Sequence, residues 1–118
     1  MTGNTSATIS NFWNNIPDFP CEKEITDCLL NNKSCKIERI VSYGQFSPAD
    51  FWFDQSMNEW IILLEGYSEI EFNDINEPFI LNKGDFLFIP AHQKHRIIKT
   101  SIEKRTVWLT VFFSDYGQ

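Results

Sequence analysis

Histidine is scarce in this chain. Only His92 and His95 occur among 118 residues, so any chemistry that needs imidazole must act at that one place. Cysteine is also sparse and odd in number: Cys21, Cys28 and Cys35 lie seven apart, a spacing that matches no common zinc or redox motif. They read as thiols, kept reduced in a cytosolic setting. Basic residues are outnumbered 16 to 10 by acidic ones, and the net charge of −6 gives a field that repels phosphate backbones. With no local basic patch against that field, a nucleic-acid partner is not expected. Met1 to Asn11 is rich in Thr, Ser and Asn and lacks both a basic start and an apolar stretch, so it reads as neither signal peptide nor membrane span. The expected location is the cytoplasm. Nucleophile elbows, phosphate-cradling glycine loops, internal repeats and linkers are all missing.

What is abundant is apolar bulk. Hydrophobic residues make up 42% of the chain and 11 phenylalanines stand among them, enough for one domain with one core. Met1 to Ser10 is expected to be mobile, and Phe12, Trp13, Ile16 and Phe19 can then strap the segment to an apolar surface. From Pro20 to Leu30 the apolar positions Ile25, Cys28 and Leu29 fall three and four apart, with Glu22 and Glu24 near the start, which predicts one short amphipathic helix.

Beyond Cys35 the period changes to that of strands cut by turns. Eight are predicted: Lys36 to Tyr43, Phe51 to Gln55, Glu59 to Glu65, Tyr67 to Phe72, Glu77 to Leu81, Asp85 to Ile89, His95 to Thr100 and Arg105 to Ser114. Their spacing is that of an all-β sandwich or barrel. Residues 1–34 then form the strap and short helix, and residues 35–118 the barrel.

Gly84 to Arg96 carries the strongest chemical signal. Gly84-Asp85 marks a turn, Phe86 to Ile89 a short buried strand, Pro90 its end, and the two histidines follow at once. Gly84, Pro90 and His95 in this order resemble the second motif of the cupins, small β-barrel proteins whose histidine at that place is a metal ligand. The resemblance implies a double-stranded β-helix, a jelly-roll barrel with its site inside. His92 stands where the family pattern usually has glycine, and Lys99 where it usually has asparagine. Glu59, followed after six residues by Gly66, is similar to the close of the first cupin motif. The two histidines the family places upstream of that glutamate are absent, and this chain offers Phe53 with Gln55, or Trp52 with Asp54. The resemblance covers Ile37 to Phe113.

Glu59 shares its two-residue phase with Ile61 and Leu63, so it points inward if they do. A buried carboxylate needs a cation or hydrogen-bond donors. His95 and Glu59, with His92 and either Asp54 or Gln55, can present two imidazoles and a carboxylate around a divalent metal. Such a set suits Zn, Fe, Ni or Mn and does not choose among them. Two functions follow from different classes: a metal-dependent enzyme acting on a small polar molecule inside the barrel, and a metal-free barrel that binds or senses a small molecule without catalysis. Fold alone does not separate them.

The strands after Glu59 and Arg105 are apolar on both faces. Trp60, Ile62, Leu64, Val107, Leu109, Val111 and Phe113 cannot all face inward together with Ile61, Leu63, Trp108 and Phe112. A helix of about eleven residues, roughly 16 Å long, is too short to cover them. A homodimer is therefore expected.

Overall fold

The computed structural model describes residues 6–115, which build two antiparallel sheets. The strands are β1 (Ile25–Asn31), β2 (Cys35–Ser42), β3 (Asn58–Glu65), β4 (Tyr67–Phe72), β5 (Phe79–Asn82), β6 (Phe86–Ile89), β7 (His95–Thr100) and β8 (Thr106–Phe113). One sheet has the order β1-β2-β8-β3-β6 and the other β5-β4-β7. Their inner faces close on Ile61, Leu63, Ile70, Phe72, Leu81, Ile89 and Trp108, all buried. This is the all-β barrel that the strand spacing implied, in the double-stranded β-helix arrangement that the cupin resemblance implied. The mobility expected of the first ten residues falls partly on residues 1–5, outside the described residues.

The predicted helix is not formed, and among the described residues there is no α-helix. Ile25–Asn31 is instead the edge strand β1, paired with β2 from Ile25 opposite Val41 to Asn31 opposite Lys36, with a bulge between Cys28 and Leu30. The three-and-four spacing of Ile25, Cys28 and Leu29 fits a helix as a pattern, but a helix of that length is marginal in water without tertiary support. Pairing with β2 satisfies the backbone of both strands. It also places Asp27 2.7 Å from Arg39 Nη2 and packs Ile25 against Val41 and Tyr43. The first 34 residues thus contribute a sheet strand as well as a strap.

Phe51 to Gln55, predicted as a strand, makes a single bridge between Phe53 and His95. The segment is held by other means: His92 donates its N–H to the Gln55 carbonyl at 2.8 Å, and the Trp52 ring lies 4.2 Å from the guanidinium carbon of Arg96.

The strap crosses the outer face of β1, β2 and β8. Phe12, Ile16 and Cys21 pack on the buried Val41, Tyr43 and Val107. Arg39, itself buried, fixes the strap by donating from Nη1 to the carbonyls of Phe12 at 2.5 Å and Asn14 at 3.0 Å, and the Tyr43 hydroxyl donates to the Pro17 carbonyl at 2.5 Å. The outer face of β3 and β6 lies beyond this cluster, and there Phe86 and Phe88 are exposed beside half-buried Trp60.

Candidate functional site

Strand parity decides which side chains enter the barrel. In β3, Glu59, Ile61 and Leu63 are all buried, whereas Trp60, Ile62 and Leu64 lie half-exposed on the outer face. Glu59 therefore points inward with its apolar neighbours, as its phase required. β7 opens with His95, which is only 5% exposed. The Phe53–His95 bridge closes the corner beside it, and the Phe53 ring stacks on the imidazole at 5.6 Å between centroids.

The hydrogen bonds fix the imidazole's orientation. Nδ1 lies 3.0 Å from the Gln93 carbonyl, which only accepts, so Nδ1 carries the proton and Nε2 faces Glu59. Nε2 to Glu59 Oε1 is 3.5 Å, long for a charge-assisted bond. The same Oε1 accepts a 2.7 Å bond from Gln55 Nε2. Burial by itself pushes the His95 pKa down, but the bond that Glu59 accepts from the imidazole, the Gln93 carbonyl and the charge of Glu59 outweigh it, and the net shift is upward from the ordinary 6.5. His95, Glu59 and Gln55 border a cavity of about 270 Å³. Its apolar walls include Ile61, Ile89 and Trp108.

The other two expected ligands lie elsewhere. His92 Nδ1 and Asp54 Oδ1 pair with each other at 2.8 Å, with side chains 69% and 42% exposed, and neither borders the cavity. His92 has a φ of +67°, which explains why glycine suits this position: the turn needs the left-handed region. Of the Asp54–Gln55 alternative, Gln55 is the residue that reaches the cavity.

The donor set does not make a ready metal centre. It holds one imidazole and one carboxylate, where open metal sites generally take three protein ligands. The third group, Gln55, turns its NH₂ to Glu59, and offering its carbonyl oxygen to an ion would break that bond. Among the described residues no group of three His, Cys, Asp or Glu side chains is placed to hold an ion.

The opposite wall was not anticipated. Glu24, Thr26, Glu38 and Ser42 border the cavity from β1, β2 and the segment before them. Glu24 accepts a 2.7 Å bond from the Ser42 hydroxyl. Glu38 shares the parity of Ile40 and Ser42 in the strand read from the sequence, and that signal could have found it. Glu24 and Thr26 were hidden by the helical reading.

The family model of the cupin domain matches residues 41–112, from within β2 to within β8. The chain belongs to the cupin family. This cupin is similar to a putative mannose-6-phosphate isomerase from Ralstonia eutropha JMP134, with 37% identity over 92% of this chain and 99% of that one, at a TM-score of 0.86. An RmlC-like cupin family protein from Methanocaldococcus jannaschii shares the double-stranded β-helix, with 16% identity over 95% and 94% of the two chains and a TM-score of 0.69. A cupin superfamily protein from Desulfitobacterium hafniense DCB-2 superposes at 0.66, with 19% identity over 79% of each chain. Among curated proteins none matches. Gly66 and Gly84, inside the matched range, both have φ of +92°.

Proposed function

We propose that this cupin binds a small molecule in its barrel, with His95, Glu59 and Gln55 as the polar end of the site and no resident metal. The observation that carries this reading is the buried Glu59, held by Gln55 at 2.7 Å and facing His95 at 3.5 Å beside a cavity of about 270 Å³. Clefts that join apolar walls to a few convergent polar groups are the usual form of ligand sites. Gln55 stabilises the carboxylate without a cation, which a metal ligand would not need.

A catalytic reading has one observation in its favour. The upward shift of His95 beside a carboxylate suits a group that takes a proton from a bound molecule and returns it. The isomerase name of the Ralstonia protein fits proton transfer, but its sugar phosphate does not fit this cavity, where no lysine or arginine is among the bordering residues described. Phosphate sites rely on such donors.

A second copy of the chain is the proposed partner, covering Phe86, Phe88 and Trp60 on the outer face. Among the described residues no helix is long and apolar enough to cross a membrane. The free thiols Cys21, Cys28 and Cys35 suit the reducing cytoplasm as location.

Elemental analysis tests the metal-free reading. Protein incubated with Zn²⁺, Mn²⁺, Ni²⁺ or Fe²⁺ and then desalted should retain well under one equivalent of each. One tightly held equivalent that disappears in His95→Ala would overturn the reading and restore the metal-dependent one.

A further inference from the structure

We propose that the cavity selects a small molecule with a cationic head, an ammonium or its equivalent, on an apolar body, and turns phosphates away. The inference rests on the reading of the cavity as the ligand site and adds the ligand's charge. Three carboxylates border the space: Glu24 before β1, Glu38 on β2 and Glu59 on β3. Against them stand His95, which borders the cavity, and Lys36, whose Nζ lies 3.5 Å from Glu38 with a side chain 39% exposed. Even with both bases charged, negative charge is in excess.

The partners of these acids matter as much as their number. Glu24 is bonded by the neutral Ser42 hydroxyl at 2.7 Å, and Glu59 by the neutral Gln55 amide at 2.7 Å with His95 Nε2 at 3.5 Å, so Glu24 has no bonded cation and the basic partner of Glu59 is His95 alone. Low-dielectric walls focus the field of such groups on the space between them. The aromatic rings of Phe53, Trp108 and Phe112 also border the cavity, and ring faces attract cations. The chain already shows this chemistry at one point, where Lys36 Nζ lies 4.9 Å from the centre of the Phe112 ring while pairing with Glu38.

A donor on a bound molecule meets the hydrogen-bonding needs of the carboxylates, whereas a phosphate adds only acceptors and negative charge. The net charge of −6 on the whole chain acts in the same direction.

The test uses three probes with one body: 2-phenylethylamine, 2-phenylethanol and 2-phenylethyl phosphate. Each is titrated into the full chain while the Trp108 indole and His95 imidazole NMR signals are followed. The amine is expected to bind at least about tenfold more tightly than the alcohol, with no binding of the phosphate. Glu24→Gln and Glu38→Gln, checked for folding by circular dichroism, should each reduce the amine's advantage, and the double variant should remove most of it. Phosphate binding as tight as the amine's, or an advantage unchanged in both variants, would overturn the proposal. Equal binding of amine and alcohol would also overturn it while leaving the cavity as a ligand site. If none of the probes moves either signal, both the proposal and the reading beneath it fail.

Discussion

An alanine at position 66 would place a methyl group where the backbone of another strand already runs. Gly66 links β3 to β4 at a φ of +92°, and a Cβ built there would lie 2.4 Å from Thr106 Oγ1, 2.6 Å from Thr106 Cα and 2.8 Å from the Arg105 carbonyl oxygen. Two of these neighbours are backbone and cannot rotate aside. A Cβ in the left-handed region costs about 1–2 kcal/mol, and forcing atoms into a packed site about 1–3 kcal/mol more. Gly66→Ala should therefore lose about 2–5 kcal/mol, a large share of the roughly 5–15 kcal/mol typical of native proteins. Urea unfolding is the assay: the midpoint should fall markedly at an unchanged slope. Adding Thr106→Ala should recover little, because it removes Oγ1 but leaves the Cα and the Arg105 carbonyl in place. A loss under about 0.5 kcal/mol, within the usual range of surface substitutions, would refute the close approach of β8 to this turn.

His92→Gly should leave stability unchanged or raise it by about 1 kcal/mol, since it relieves a left-handed histidine and gives up only an exposed pair with Asp54; a clear drop in the urea midpoint would show that the pair matters. His95 should titrate above 6.5 by NMR, and Glu59→Gln should lower its pKa. Because its folded pKa is raised above the unfolded one, the stability it contributes is fully present below pH 6.5 and is lost as pH rises through the folded value; titration below 6.5 in the wild type would contradict this. In sedimentation equilibrium the wild type should run as a dimer and Phe86→Ser with Phe88→Ser as a monomer, whereas a 13.9 kDa wild-type species would remove the proposed partner.

Much of the barrel could be read from the chain because its strands are separated by strong turn signals. Gly66, Asn73-Asp74 and Gly84-Asp85 separate β3, β4, β5 and β6, and the observed bounds fall within about two residues of those predicted. Glu59 was placed correctly by parity with Ile61 and Leu63, a property local to one strand. His95 was placed by its distance from Gly84 and Pro90. β1 matches a helical period in sequence because polar, exposed residues on an edge strand leave its few apolar positions free to do so, and only the pairing with β2 decides between helix and strand. The pairing of His92 with Asp54 depends on a left-handed turn and a contact across 38 positions, neither of which a single sequence displays. Glu24 joins the site through the same β1–β2 pairing, so missing the strand meant missing one acidic wall.

The central claim is that small molecules bind inside the barrel beside His95 and Glu59. The direct measurement is intermolecular NOE spectroscopy on methyl-labelled protein with binders drawn from a fragment library. NOEs are expected from bound fragments to the methyl groups of Ile61, Ile70 and Ile89, which border the cavity. NOEs confined to Ile62 and Ile80, on the outer surface, would contradict it.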